Sequence, residues 1–372
     1  MKRAICKVKY KNLVYLFYKN LVKRSTLLFS ILTALLISIF TILSLFTGRQ
    51  DALKPDIAIH QNKKEKKITW YTSLPQRHAA RIGNAFSIKH GIDIQIVRAA
   101  TFLIRRRLLN EIERGGSMAD VLTIADIGTF EALQNQGHLL YYNSQHYKSY
   151  PAQFKLDGYW AVFALFGICM AYDETKLRNP PTRWSDLLDE RWKGRIGLED
   201  ISEAGSQYGQ YYLLREKLGK TFWKALLQRQ KPRIYKKTID LANAVLKGEI
   251  DVAAEFSIHT VYSYRQKKGT SLQGVYPKEG IPVIANPVAI LSGTKRPDEA
   301  KRFFDFLLSQ EGQTLMQNLN YKYSIRNGLE SLSGIPSLKE LNLLLPTDTI
   351  DYIQKRDAYI SEFNQFLSNP AK

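Results

Sequence analysis

Two long apolar runs constrain the fold of this chain more than any other feature of its sequence. Residues 160–173 (WAVFALFGICMAYD) and 280–291 (GIPVIANPVAIL) are rich in the β-branched and aromatic side chains that favour strands. Both are longer than an ordinary strand, and they enclose a middle block of about 110 residues. A strand of this length can begin in one lobe and end in another. We therefore expect two lobes joined by two crossing strands, with lobe 1 at 68–165 and 286–372 and lobe 2 at 166–285.

Strands and helices alternate in the rest of the sequence. ITWYTSL (68–74), IDIQIV (92–97) and ADVLTIA (119–125) have the composition of short strands, and a helical pattern follows each of them. This alternation predicts βαβ units, a mostly parallel sheet and an α/β fold class. In such folds the ligand binds at the carboxyl ends of the strands, so we expect a cleft between the lobes. Further predicted elements are strands at 195–200 and 251–256 and helices at 206–218, 221–230, 238–247, 298–317 and 349–367.

The amino-terminal region predicts the compartment. The 24 residues from Ser25 to Gly48 carry no charge, and as a helix they would extend about 36 Å, enough to cross a hydrocarbon core of about 30 Å. Residues 1–24 hold eight basic side chains and no acidic one, which predicts that they stay in the cytoplasm while the chain after Arg49 is exported. The apolar segment is long for a signal peptide and lacks an A-x-A cleavage pattern. We expect either an uncleaved inner-membrane anchor or a cleaved signal, then a linker at 49–67 and a periplasmic or extracytoplasmic body.

Charge and cysteine content exclude several classes of function. The sequence has 54 Lys and Arg against 34 Asp and Glu, and 46 basic residues remain when the eight of 1–24 are set aside. A basic exported body favours an anionic ligand. Nucleic acid is disfavoured as a partner because an exported body would not meet it. The two cysteines, Cys6 and Cys169, are too few for a disulfide-stapled fold or a cysteine zinc site.

Several segments resemble those of a known family, in the same order along the chain. They are ITWYTSLPQ, AFSIKHGIDIQIVRA, ADVLTIAD, MAYDETKL, PPTRWSDLLDERWKGRIGLED, ANPVAILSGTKRPDEAKRFFDFLLSQEGQ and YKYSIRNGL. Over residues 66–330 the chain is similar to the periplasmic solute-binding proteins of ABC transporters, in particular the ferric-iron-binding group. The resemblance implies a type II periplasmic-binding fold that closes like a hinge on its ligand. It also implies a receptor rather than an enzyme, with an ABC permease as partner.

The resemblance indicates where an iron site would lie. Iron-binding members typically supply a histidine, a glutamate and two adjacent tyrosines. The corresponding positions here fall near Pro75, near Ala125 beside Asp126, and near His259-Thr260, so none of the four ligands is retained. Ferric iron requires hard, anionic oxygen ligands. We therefore predict no metal and no cofactor, and keep a ferric-iron-binding protein as an alternative.

Three loops are expected to face the cleft. Tyr71-Thr72-Ser73 ends the first strand, while Ala100-Thr101 and residues 202–207 (SEAGSQ) each precede a helix. A helix amino terminus binds phosphate or carboxylate through its N–H groups and its dipole, although each Ser or Thr could equally be an ordinary helix cap. The resemblance implies that the same loops touch the ligand. The predicted ligand-binding residues are Tyr71, Thr72, Ser73, Thr101, Asp126, Ser202, Ser206, Gln207, Glu255, Ser257, Asn286 and Arg326.

Three functions fit these features. The first is an exported receptor of an ABC importer that captures a small organic or phosphorylated anion. The second is a membrane-anchored sensor that signals to a histidine kinase, which suits the long apolar segment and the helical tail at 349–367. The third is an enzyme with a nucleophilic cysteine. Cys169 lies in an apolar run with no histidine beside it in the sequence, which favours a buried and inert side chain.

Overall fold

The computed structural model describes residues 66–152, 154, 157–202, 205–346 and 348–368. The predicted basic segment and apolar helix at 1–48, and the linker up to residue 65, lie outside the described residues. Among the helices that are described, none is both long and apolar enough to cross a membrane.

The order of strands and helices follows the predicted alternation. The strands are β1 (Lys67–Thr72), β2 (Asp93–Arg98), β3 (Val121–Thr123), β4 (Trp160–Asp173), β5 (Ile196–Glu199), β6 (Arg233–Tyr235), β7 (Val252–Ser257), β8 (Leu272–Val275), β9 (Ile281–Ile290) and β10 (Leu343–Leu344). The α-helices are α1 (Gln76–His90), α2 (Thr101–Glu113), α3 (Ile127–Asn135), α4 (Gly205–Gln228), α5 (Thr238–Lys247), α6 (Ile258–Lys268), α7 (Pro297–Leu308), α8 (Gln310–Asn320), α9 (Thr349–Gln354) and α10 (Arg356–Ser368).

One mixed sheet runs through the described part of the chain, in the order β2-β1-β3-β9-β4-β7-β5-β6. β1 pairs in parallel with β2 and β3, and β5 pairs in parallel with β6 and β7. The central pairs β3-β9, β4-β9 and β4-β7 are antiparallel. The prediction of a mostly parallel sheet is thus correct for the two outer parts and wrong for the centre. We call β2, β1 and β3 with α1–α3 the first half, and β7, β5 and β6 with α4–α6 the second half.

The two long strands that the sequence predicted are confirmed as β4 and β9. The first part of β4, Trp160–Gly167, pairs with β9, and its second part pairs with β7 and β8. The β4 side chains are buried except for the partly exposed Tyr172. An apolar strand of this length is stable here because a core covers it in each half of the sheet. β4 and β9 therefore connect the two halves.

The carboxyl-terminal helix packs differently from the predicted lobe boundary. The prediction placed residues 286–372 with lobe 1, whereas α10 packs against α4 of the second half. Phe363 and Phe366 join a core that includes Trp184 and Trp223. The sequence predicted a helix at 349–367, but a helical pattern does not identify the surface that the helix covers.

The helix α4 contains the interruption that the sequence indicated. The prediction was two helices, 206–218 and 221–230, and the single element Gly205–Gln228 has a non-helical residue between them. Gly219 has a φ of 82°, a conformation that glycine adopts without the steric cost borne by other residues. The chain therefore changes direction at Gly219 while the helix continues on both sides.

Candidate functional site

A cavity of about 740 Å³ lies where the two halves of the sheet face each other. Ser73 follows β1, Asp200 follows β5 and Ser257 ends β7, so the cavity opens at the carboxyl ends of parallel strands, as expected for an α/β fold. We call it the cleft. Residues of both halves line it, including Ser73, His78, Thr101, Glu199, Ser206, Gln207, Gln210, Thr238, Glu255, Ser257, His259 and Lys322.

Five helices begin at the wall of the cleft. Residues at or next to the amino termini of α1, α2, α4, α5 and α6 line the cavity, among them Thr101, Ser206, Thr238 and Ser257. Within the described residues, no side chain caps the amino terminus of α1, α2, α5 or α6. The first N–H groups of a helix carry a partial positive charge and need hydrogen-bond acceptors. Their convergence makes this part of the cleft electropositive.

Two basic side chains pack against one aromatic ring in the wall of the cleft. Lys322 Nζ donates a hydrogen bond to Asn286 Oδ1 at 2.6 Å and lies 4.5 Å from the ring centroid of Phe166. The imidazole of His259 packs edge-on against the same ring, with 5.0 Å between centroids. Burial lowers the pKa of Lys322 to about 7. It also lowers the pKa of His259, and the charge of Lys322 adds to this effect.

The Nδ1 atom of His259 is buried and has no hydrogen-bond partner among the residues that the structure describes. An unpaired, buried polar atom is costly in a folded protein, and it is common where a ligand completes the set of contacts. Lys322 and His259 thus form a basic part of the cleft wall in which one ring nitrogen lacks a described partner. We call these two residues the basic region.

Two carboxylates, on β5 and β7, form an acidic part of the cleft wall. Glu255 is 3% exposed, and neither of its carboxylate oxygens has a hydrogen-bond partner in the described part of the chain. Glu199 is also buried and accepts a hydrogen bond from Gln207 Nε2. Burial raises the pKa of Glu255 to about 8, with the nearby Gln210 amide opposing this rise and the charge of Glu199 adding to it. Burial also raises the pKa of Glu199. We call Glu199, Glu255, Gln207 and Gln210 the carboxylate corner.

The two halves of the sheet touch beside the cleft at Gly205, the first residue of α4. A Cβ atom at this position would lie 2.7 Å from the carbonyl oxygen of Ala125 and 2.9 Å from Cγ2 of Thr101. Any side chain would push these groups apart. The absence of a side chain at Gly205 thus permits close contact between the halves.

Six of the predicted ligand-binding residues come together in the cleft. They are Ser73, Thr101, Ser206, Gln207, Glu255 and Ser257. The first predicted loop is only partly on the wall, because Tyr71 and Thr72 are fully buried beneath it. The Tyr71 hydroxyl donates to Glu111 Oε1 at 2.7 Å, and Thr72 Oγ1 accepts from Thr123 at 2.7 Å. Consecutive side chains of a strand point to opposite faces of the sheet, and both faces are covered here, so Tyr71 and Thr72 both make internal contacts.

The other four predicted residues have different positions. Ser202 donates to Asp200 Oδ1 at 2.6 Å in its own turn. Asn286 holds Lys322 and acts on the cleft only through it. Arg326 donates to the carbonyl oxygen of Leu308 at 3.2 Å. Asp126 lines a different cavity, of about 530 Å³, and its Oδ2 lies 3.6 Å from the Arg356 guanidinium.

Sequence reasoning did not select Lys322, although it lies in the segment YKYSIRNGL, where only Arg326 was chosen. The position of Lys322 depends on two tertiary features. Tyr321 adopts a left-handed conformation with a φ of 56° at the end of α8, and Tyr323 forms a bridge with Leu165 of β4. His259 was considered only as a position where an iron ligand is missing.

The positions that the resemblance paired with iron ligands do line the cleft. They are occupied by Pro75, Ala125, His259 and Thr260. The described residues include no group of three or more His, Cys, Asp or Glu side chains arranged to hold a metal ion. The chemistry of this donor set does not fit ferric iron, which prefers anionic oxygen ligands.

Comparison with known proteins defines the class. The family of bacterial extracellular solute-binding proteins matches residues 116–336, more than half of the chain, and the chain belongs to this family. The major ferric iron-binding protein of Neisseria meningitidis serogroup B is 27% identical over 290 residues, which cover 74% of this chain and 85% of that protein. The chain is thus a periplasmic solute-binding protein of the ABC importer type, a transport receptor and not an enzyme.

Solved structures show the same fold. Iron-bound HitA from Pseudomonas aeruginosa aligns with a TM-score of 0.71 at 23% identity, covering 81% of this chain and 99% of HitA. The periplasmic binding protein AfuA from Actinobacillus pleuropneumoniae, with fructose-6-phosphate bound, aligns with a TM-score of 0.71 at 22% identity, covering 81% and 98%. The α/β periplasmic-binding fold that the sequence predicted is confirmed.

The environment of Cys169 agrees with a receptor. Its thiol is fully buried and donates to the carbonyl oxygen of Phe256 at 3.3 Å. Burial raises the pKa of the Cys169 thiol, so the reactive thiolate is disfavoured. This side chain is an inert part of the core.

Proposed function

We propose that the protein captures a small organic or phosphorylated anion for an ABC importer, by closing two lobes on it. The observation that carries this proposal is the convergence of five helix amino termini, four of them without a described side-chain cap, on a cleft that also contains Lys322 and His259. Uncapped helix termini bind phosphate and carboxylate oxygens through N–H groups and the dipole. Charge-assisted hydrogen bonds from Lys322 would add to this binding.

The domain movement follows from the connection between the halves. In our proposal lobe 1 (68–165 and 286–372) and lobe 2 (166–285) rotate about β4 and β9, apart from α10, which moves with lobe 2. Hinge closure of this kind is a common response of binding proteins to their ligand. The close contact at Gly205 fits a closed arrangement, since it leaves no space for a side chain between the halves.

The relatives support a phosphorylated ligand and also name the main alternative. AfuA was solved with fructose-6-phosphate, a sugar phosphate, in the same fold. The Neisseria protein is named as a ferric iron-binding protein and HitA was solved with iron bound, so iron is the second candidate here. The cleft presents Pro75, Ala125 and Thr260 at the corresponding positions, which favours an anionic solute over the metal.

The cellular partners follow from the same proposal. The closed, loaded receptor would dock on an ABC permease, and residues 25–48 would either anchor it in the inner membrane or be removed as a signal. A sensor that signals to a histidine kinase would use the same cleft with a different membrane partner. Residues 25–48 lie outside the described part of the chain, so the anchor rests on the sequence alone.

A thermal-shift panel on the full chain in mild detergent tests the ligand class. The panel contains phosphate esters, phosphonates, di- and tricarboxylates, polyamines, citrate and ferric citrate. A ligand at 100 times its Kd adds about 2.7 kcal/mol to the free energy of unfolding, a rise of about 3 °C in Tm for a body of this size. Stabilisation by anionic organic compounds supports the proposal. A response to ferric citrate that citrate alone does not produce would favour iron.

A further inference from the structure

The cleft holds two kinds of charge. The basic region, Lys322 and His259, lies against Phe166, and the carboxylate corner contributes two buried acids to the same cavity. A ligand that carries only an anionic group would pair with the basic region and leave the carboxylate corner without a partner. A ligand that suits the whole cleft must therefore interact with both.

Glu255 is the residue that requires an explanation. Both of its carboxylate oxygens are buried without a hydrogen-bond partner in the described chain, and Glu199 on the adjacent strand β5 adds a like charge. Burying a carboxylate without a partner costs several kcal/mol or shifts it to the neutral form. The raised pKa of Glu255 records that cost, since burial is its largest cause. A positively charged partner from outside the chain would offset this cost.

The chemistry of that partner follows from the acceptors that it must satisfy. Glu199 and Glu255 both line the cavity; Glu199 accepts hydrogen bonds from Gln207 and Thr238, whereas the two oxygens of Glu255 have no partner in the described chain. A protonated amine supplies several N–H donors and a positive charge that stabilises the ionised form of both acids. A neutral hydroxyl supplies one donor and no charge, so it would not stabilise the ionised carboxylates. An ammonium group is therefore the best match for the carboxylate corner.

We propose that the ligand is amphoteric, with an anionic phosphate, phosphonate or carboxylate group at the basic region and a protonated amine at Glu255 and Glu199. This inference rests on the proposed function and sharpens it to aminated small organic anions. Glu255 then acts as the specificity-determining residue, because it favours an amine and disfavours the otherwise identical molecule without one.

Matched ligand pairs test the amine directly. The probes are phosphoethanolamine with ethyl phosphate, 2-aminoethylphosphonate with ethylphosphonate, and glucosamine 6-phosphate with glucose 6-phosphate, each titrated by calorimetry against the full chain. In at least one pair the aminated member should bind more tightly by about 10- to 100-fold, the value of a charge-assisted hydrogen bond. Glu255→Gln should reduce that preference to about 3-fold or less, since it removes the charge and keeps the size.

A second variant controls for general damage to the fold. Asp126→Asn removes a buried carboxylate that lies outside the cleft and has its own partners, so the preference for the amine should persist in it. Equal or tighter binding of the molecules without an amine would overturn this inference and leave the proposed anion receptor standing. Preference for the amine that survives in Glu255→Gln would also overturn it. Absence of binding by every probe, aminated or not, would count against both.

Discussion

Two buried carboxylates, Glu255 and Asp126, stand near strand ends and have the same 3% exposure, yet their surroundings differ completely. Asp126 accepts a hydrogen bond from Thr129 Oγ1 at 2.6 Å and has the Arg356 guanidinium 3.6 Å away. Glu255 has no described hydrogen-bond partner. Burial alone therefore does not distinguish a structural carboxylate from one that binds a ligand. The two are distinguished by whether hydrogen-bond partners from the protein are present.

The source of the partners explains the difference. Arg356 comes from the carboxyl-terminal helix α10 and lies 3.8 Å from the ring centroid of Phe102. Close by, the Tyr208 hydroxyl donates to the backbone oxygen of Tyr352 at 2.6 Å. The chain thus supplies its own cation at Asp126, whereas the carboxylate corner is bordered by the amides of Gln207 and Gln210 and the hydroxyl of Thr238. The charge of Asp126 is therefore balanced within the protein, whereas the carboxylate corner lacks such a counterion among its described neighbours.

The largest effect is expected from Glu255→Gln on the ligand-free protein. The pKa of Glu255 is about 8 in the folded state against an ordinary value of about 4.3, so the folded state keeps a proton that the unfolded state loses. This contribution to stability is complete below the unfolded pKa, falls as the pH rises, and is fully lost above the folded pKa. The Gln variant should therefore gain up to about 5 kcal/mol relative to wild type between about pH 4 and about pH 9.

Denaturant unfolding of both proteins across this range provides the measurement. The other titratable groups that line the cleft are present in both proteins; they are His78, Arg98, Glu199, Asp200, Lys236, Lys237, His259, Tyr321 and Lys322. The difference between the two curves therefore isolates Glu255. A difference that does not change with pH would show that Glu255 is ionised normally, and the contrast with Asp126 would fail.

Lys322→Met should cause the next largest change, in ligand affinity. The substitution keeps an unbranched side chain against Phe166 and removes the charge and its hydrogen bonds. Affinity for a bound phosphate ester should fall about 100-fold, or about 2.7 kcal/mol. Calorimetric titration measures it, with the solvent-exposed Lys339→Met as the control. Unchanged affinity would place the anion elsewhere in the cleft.

Asp126→Asn should have the opposite signature to a cleft substitution. It leaves the partly buried Arg356 without its counterion, so the free energy of unfolding should fall by about 2 kcal/mol. Ligand affinity should remain within about 2-fold of wild type, because the side chain lines a different cavity. Chemical denaturation and titration of the same preparation test both statements. A selective loss of affinity would mean that Asp126 belongs to the ligand site after all.

Gly205→Ala should produce the smallest of these effects. The added methyl group would meet the Ala125 carbonyl oxygen and Thr101 and hinder full closure, so affinity should fall about 10-fold, or about 1.4 kcal/mol. Gly293→Ala is the matched control, since a Cβ atom there meets nothing within 4 Å. Small-angle scattering with saturating ligand should show the Gly205 variant more open than wild type. Equal compactness and affinity would remove the contact from any role in closure.

Much of the fold could be read from the sequence because its signals are local. The apolar runs at 160–173 and 280–291 predicted two long strands, and these correspond to β4 and β9. Ser73, Thr101 and Ser206 were found because residues between a strand and the next helix reach the carboxyl edge of the sheet. These inferences need only periodicity and chain order.

The remaining parts of the site depend on contacts between distant segments. Asp126 and Glu255 look alike in sequence, because the arginine that pairs with Asp126 comes from the far end of the chain. Lys322 was missed since its position depends on the bridge between Tyr323 and Leu165. The surface that α10 covers was likewise undetermined until Phe363 and Phe366 were placed beside Trp223. Local sequence patterns predict which residues lie at the edge of the sheet, but they do not predict which residues from distant segments pack beside them.

The passage of β4 through both halves also bears on how such a receptor could be recombined. Trp160–Gly167 completes one part of the sheet and Ile168–Asp173 the other, so a crossover inside this strand would cut a shared core rather than a linker. Whole halves should therefore exchange poorly between homologous receptors. Grafts confined to the loops at the carboxyl ends of β1, β5 and β7 leave the shared strand intact, and they are the practical units for transplanting specificity.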